Sequence, residues 1–288
     1  MKPEYRSITM AIVVFCFLTG TSYSQSEGTN IIQEKRDFEW PEGKEMGLSL
    51  TFDDARLSQV EKGIPLLDRY GVKGTFYVLP NFAEYVDKWR EAIKSGHEIG
   101  NHTIFHPCMG VYEWTRGHEL ENYSLEKMEE ELKAANKLIK DSLGIDAVSF
   151  AYPCGHTYVG EGLNTKSYVP IVAWLFETGR RASPGEANTP AVCNMSQLAA
   201  MQLDGKSFEE IKKKIEVAKS KGQWLILFGH EMNEEEGRLI SKLSVIEAIC
   251  QYATVPENGI WIDNVHNIVS YIKEKSREQS LSKQPVGE

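Results

Sequence analysis

Residues 48–54 read Leu-Ser-Leu-Thr-Phe-Asp-Asp, an apolar run of strand length that ends on two adjacent acids. A run this apolar fits a strand buried on both faces, and such strands belong to parallel sheets covered by helices. Parallel neighbours cannot be joined by a tight turn, so each strand should be followed by a helical crossover. The sequence keeps to that rhythm. After a first strand at 46–52, residues 57–70 carry Val60, Ile64, Leu67 and Tyr70 at helical spacing and stop at Gly71. Further strands are expected at 72–79, 98–101, 147–152, 170–177 and 223–229, and further helices at 82–94, 124–143, 207–221, 244–252 and 264–275. Ser207-Phe208-Glu209-Glu210 is a capping box for one of these helices. Six or seven strands alternating with helices predict a single-domain α/β fold, a distorted (β/α)7-type barrel, with its chemistry on the loops after the strands.

Residues 1–24 read as an export signal. Lys2 and Arg6 give a basic start, 10–18 is an apolar run too short to span a bilayer, and Ser22-Tyr23-Ser24 is a small-x-small cleavage site. The expected protein is secreted or periplasmic, with no stable membrane span after cleavage. A polar lead-in at 25–45, a chemistry-bearing domain at 46–275 and a polar, frayed tail at 276–288 follow. The formal net charge is -9 and the cations are interspersed with acids, so there is no basic footprint and nucleic acid is excluded as a partner. Cys108, Cys154, Cys193 and Cys250 lie beyond the signal, and four cysteines allow three full pairings.

The adjacent acids acquire a meaning from what lies downstream. His102-Thr103-Ile104-Phe105-His106-Pro107 offers two imidazoles four residues apart, and Pro107 restricts them to a turn or loop. Asp54, His102 and His106 can hold one divalent ion, with zinc the first choice for two imidazoles and a carboxylate. Such an ion lowers the pKa of a bound water from ~15.7 toward ~7. Consecutive side chains on a strand point to opposite sides, so Asp53 and Asp54 divide into two jobs.

Four segments in order, Thr51-Phe52-Asp53-Asp54, His102 to Pro107, Phe150-Ala151-Tyr152-Pro153-Cys154-Gly155 and Leu227-Phe228-Gly229-His230, resemble the motifs of the polysaccharide deacetylase family of carbohydrate esterases, the NodB-homology domain. The likeness runs over 46–275. It implies a metal-dependent hydrolase that removes N- or O-linked acetyl groups from an acetylated polysaccharide or oligosaccharide. By the same resemblance Asp53 is the general base, and Asp54, His102 and His106 hold the metal. His230 is the general acid, and the backbone N–H of Cys154 helps bind the oxyanion.

Two motifs depart from the family pattern. The third opens with an Arg that pairs with the base in many members, and Ala151 stands there; Arg180 or Arg181 is expected to reach Asp53 from the neighbouring strand end instead. The fourth, an Asp that tunes the acid histidine, has no clean match, and 177–181 holds its approximate place. Cys108 and Cys154 flank the same site on this resemblance, so a disulfide between them is expected. Two other readings are a metal-dependent amidase acting on a non-sugar C–N bond and a glycan-binding module whose chemistry has lapsed.

Overall fold

Strand β1 (Met46–Asp53) is buried at every position, as its unbroken apolar run requires. This computed structural model describes residues 38–183 and 187–282; the expected export signal and most of the lead-in lie outside them. β1 is followed by β2 (Thr75–Val78), β3 (Glu98–Asn101), β4 (Ser149–Ala151), β5 (Thr178–Ala182), β6 (Leu198–Gln202) and β7 (Trp224–Gly229), each parallel to the next. β7 pairs back on β1 from Gly47↔Trp224 to Phe52↔Gly229 and closes a seven-stranded barrel. A further strand, β8 (Ile260–Ile262), occupies the other edge of β1 at Met46 to Leu48, leaving β2 the stretch from Thr51 to Asp53. That shared edge is the barrel's distortion.

The crossover helices are α1 (Ile64–Arg69), α2 (Val86–Lys94), α3 (Leu125–Leu143), α4 (Val169–Leu175), α5 (Phe208–Lys219) and α6 (Leu243–Thr254), and α7 (Val265–Ser282) follows the last strand. A π-helical turn, Gln59–Gly63, leads into α1. α3 begins on Ser124, whose side chain accepts the Lys127 N–H, and ends on Gly144 at φ 76°, a conformation a side chain would strain. The capping box at the head of α5 forms as expected, Ser207 and Glu210 each satisfying the other's backbone N–H.

Residues 170–177 correct the sequence reading. Those up to Leu175 lie in α4, with Pro170 in its first turn, and the strand starts only at Thr178. Periodicity cannot separate a short apolar helix from a buried strand, and Pro is at home in the first helical turn but not in a ladder. β6 and β8 were not anticipated. Leu198-Ala199-Ala200-Met201-Gln202 has no β-branched or aromatic residue; its place between β5 and β7 makes it a strand, not its propensity. α7 also continues past Lys275 to Ser282, through residues expected to fray.

The helical side of the sheet buries Leu48, Phe52, Phe76 and Trp89 in one cluster. A second seals the barrel where Trp40 meets Trp224 and Val269. Each such large side chain contributes roughly 1.5–3 kcal/mol by leaving water. Among the described residues no helix is long and apolar enough to cross a membrane.

Candidate active site

The carboxyl end of β1 delivers Asp53 in strand geometry, then the chain kinks. Asp54 and Ala55 take φ values of 74° and 51°, in the left-handed region. Non-glycine residues reach it at a cost of roughly 1–2 kcal/mol each. Asn81, just after β2, holds the kink by donating from Nδ2 to the carbonyls of Asp54 at 3.0 Å and Ala55 at 3.3 Å. The kink carries Asp54 toward the loop that follows β3.

That loop is itself folded tightly, with Thr103 at φ 73° and His106 at φ 51°. The Thr103 hydroxyl accepts the His106 N–H at 2.9 Å, and Glu131 of α3 accepts the N–H groups of Ile104 and Phe105. His102 Nδ1 lies 2.8 Å from the Ala151 carbonyl, which can only accept. Nδ1 therefore carries the proton and Nε2 keeps its lone pair, the arrangement typical of a metal-binding histidine. Nε2 of His102 and Nε2 of His106 stand 3.6 and 3.7 Å from one atom, Asp54 Oδ1.

Asp54 Oδ1 is buried and has no hydrogen-bond partner, while Oδ2 takes Arg56 at 2.9 Å. Burial by itself would raise the Asp54 pKa, but His102, His106, His230 and Arg56 outweigh it and hold the carboxyl below its ordinary value. Burial, with His102 beside it, pushes His106 down to about 4, so its imidazole is neutral at physiological pH, the form that binds metal. An orphaned anionic oxygen facing ring nitrogens in mutual reach is a donor set that a borderline divalent ion fits.

Asp53 faces the other way. Arg180 Nη2 contacts both of its carboxylate oxygens at 2.6 Å, and the guanidinium lies between the rings of Tyr77 and Phe228. Arg180 is the register partner of Ala151. The cation absent from the third motif is thus supplied one strand over, at the same level of the barrel. Arg181, the next residue on β5, alternates to the opposite side and is half-buried.

His230 follows β7 at the site's third corner. Its Nδ1 is 2.5 Å from Oδ2 of Asp204, its backbone N–H donates to Oδ1 of the same carboxylate, and Ser241 donates to that Oδ1 at 2.6 Å. Burial pulls the His230 pKa down, but the Asp204 hydrogen bond and the charges of Asp53, Asp204 and Asp54 prevail and raise it. Gly229 makes this possible: a Cβ there would meet Ser241 Oγ at 2.0 Å and Asp204 Oδ1 at 2.9 Å. Asp204 is what the sequence reading missed. It lies just past β6, so overlooking that strand hid the acid at its end, and 177–181 does not hold its place.

Cys154, at φ 55°, is joined to Cys108 across a Cα–Cα distance of 6.0 Å, tying the third-motif turn to the histidine loop. Cys193 and Cys250 are free thiols. All of Asp53, Asp54, His102, His106, Cys154, Arg180 and His230 line one cleft, and Arg181 does not. Trp114 and Tyr112 stack at its rim, Trp114 with its ring 5.4 Å from that of His106 and 60% exposed. Trp40 and Trp89 are core and Trp174 is on the surface.

A closed parallel barrel with its polar cleft at the strands' carboxyl ends is the NodB-type barrel, and solved structures share it. One is a candidate polysaccharide deacetylase from Mycobacterium smegmatis, with a TM-score of 0.60, 14% identity and coverage of 83% of this chain and 93% of that one. Another is the peptidoglycan deacetylase PdaC of Bacillus subtilis, with a TM-score of 0.51, 17% identity and coverage of 86% and 100%. The polysaccharide deacetylase family profile matches residues 41–163. A gellan lyase from a Bacillus species is 22% identical over 251 residues; these are 82% of this chain but 10% of that protein's length.

Proposed function

We propose that this protein is an exported, metal-dependent deacetylase that removes acetyl groups from an acetylated polysaccharide or oligosaccharide. The observation that carries the reading is the orphaned Asp54 Oδ1, buried opposite the Nε2 atoms of His102 and His106. Those three residues would hold the ion, zinc being the best match to the donor set. When bound, it would polarise the scissile carbonyl and make water acidic enough to attack at neutral pH.

The chain's own groups divide the proton work. Asp53, oriented by Arg180, takes the proton from the attacking water. His230, whose pKa the Asp204 hydrogen bond helps to raise, gives a proton to the departing sugar nitrogen or oxygen, without which a poor leaving group would not depart. The Cys154 N–H, in the turn clamped by the disulfide, is offered to the developing oxyanion. The exposed Trp114–Tyr112 pair beside this centre suits the apolar face of a sugar ring, which favours a glycan over a small cyclic amide.

The test is acetate release from acetylated xylan, chitin oligomers and peptidoglycan, with and without chelator, beside Asp53→Asn. Release abolished by both chelator and substitution supports the reading and names the substrate. A metal-loaded protein that frees acetate from none of them refutes it.

A further inference from the structure

Gln59 opens the π-helical turn ahead of α1 and is fully buried. Its Nε2 donates to two backbone carbonyls, that of Asp53 at 2.6 Å and that of His230 at 3.0 Å. These are the carbonyls of the two residues assigned the proton transfers. The β1–β7 register ends at Phe52↔Gly229, one residue short of both. An amide NH2 has two hydrogens and meets two acceptors here, so Gln59 adds to the closing seam a rung that the paired strands do not reach. The orientation follows from chemistry: turned over, the amide oxygen would face two carbonyl oxygens.

The same turn grips the segment after His230. The Ser58 hydroxyl donates to Glu231 Oε2 at 2.5 Å and accepts the Met232 N–H at 2.9 Å. Gly63 lies so close to Met232 that a Cβ there would meet its sulfur at 2.1 Å. π-helical turns recur at functional sites, and this one is docked on the strand end that bears the acid.

We propose that Gln59 is a positioning residue that sets the separation of Asp53 and His230 by holding their carbonyls on one amide. The inference rests on the deacetylase reading for what those residues do. A base and an acid must address the same carbonyl group from different sides, and a displacement of about 1 Å can cost about a hundredfold in rate. Among the described residues the Gln59 side chain hydrogen-bonds to Asp53 and His230 and to none of Asp54, His102 and His106, so metal binding should survive its loss. Asp53 remains held by Arg180 at both carboxylate oxygens, so the displacement should fall on His230, harming substrates whose leaving group needs a proton and sparing those whose leaving group departs unaided.

Gln59→Met keeps the length of the side chain and removes both donors. The expected result is a fall of at least about tenfold in kcat on an N-acetyl glycan at unchanged KM and metal content, with a fall of less than about threefold on an aryl acetate. Amide hydrogen exchange at Glu231, whose N–H shares the peptide unit of the His230 carbonyl, should quicken by about tenfold or more, with the middle of β1 unchanged. Equal losses on the two substrates, or wild-type exchange with wild-type kinetics, would overturn the proposal. Should the variant not fold, the wild type decides: through-hydrogen-bond NMR couplings from Gln59 Nε2 to the carbonyl carbons of both Asp53 and His230 are expected, and the absence of either refutes the tie. The couplings and the exchange do not depend on turnover, so a wild type that frees no acetate would sink the deacetylase reading and leave this one to be judged on them.

Discussion

Replacing Arg180 with Met leaves the Asp53 carboxylate buried opposite an apolar side chain. Asp53 is 4% exposed and Arg180 1%, so water cannot take over the two contacts at 2.6 Å. Methionine fills much of the slot between Tyr77 and Phe228, so the lost interaction is chiefly electrostatic. Removing one partner of a buried ion pair costs about 3–5 kcal/mol, because the other charge remains without compensation. For a domain of this size that is a drop in Tm of roughly 6–20 °C. Urea unfolding should show a lower midpoint at an unchanged slope. The decisive comparison is a double-mutant cycle with Asp53→Asn: removing both charges should cost less than the two single losses added together, by about 2 kcal/mol. A cost for Arg180→Met below about 1 kcal/mol, or strict additivity, would refute the view that the pair is one buried electrostatic unit.

Asp204→Asn should lower kcat by on the order of a hundredfold and move the basic limb of its pH profile downward, because His230 then gives up its proton more readily. The native state binds that proton more tightly than the unfolded chain, so the stability it contributes is fully present below the ordinary histidine pKa and is lost as pH rises through the raised value. His97 behaves in the opposite sense: burial pushes it down to about 4, and the unfolded chain takes up its proton first. Stability should therefore fall by roughly 3 kcal/mol as pH drops from about 6.5 to 4, and His97→Gln should flatten that slope in urea titrations. Reductant should expose two additional alkylatable thiols, and Cys108→Ser with Cys154→Ser should cost up to ~4 kcal/mol by releasing a long loop. Metal added to stripped protein should raise Tm, and His106→Ala should abolish the rise.

The Asp-Asp pair, the spaced histidines and the late histidine could be found in the sequence because each sits within a short segment whose local pattern, an apolar run ending at a polar residue, marks a strand end. Arg180 was half legible: two adjacent arginines were named, but only strand alternation and the register beside Ala151 decide which one turns to Asp53. Asp204 was not legible, because the strand before it is made of Leu, Ala and Met, residues whose propensity points elsewhere. Nor were Gln59, Glu131 and Asn81, whose partners lie in other segments and whose residue types carry no signal of their own.

By itself the sequence determined the barrel, since alternating buried strands and amphipathic helices admit few other closures, and it determined the residue types able to bind a metal and move protons. Only the tertiary structure decided how they are used. Buried polar groups must find partners, and which ones they find depends on strand order and register, through contacts that span 171 residues in the case of Gln59 and His230. Surroundings then set their pKa values, burial lowering His106 and Asp204 with its neighbouring carboxylates raising His230 against its burial, so that similar imidazoles become suited to different work.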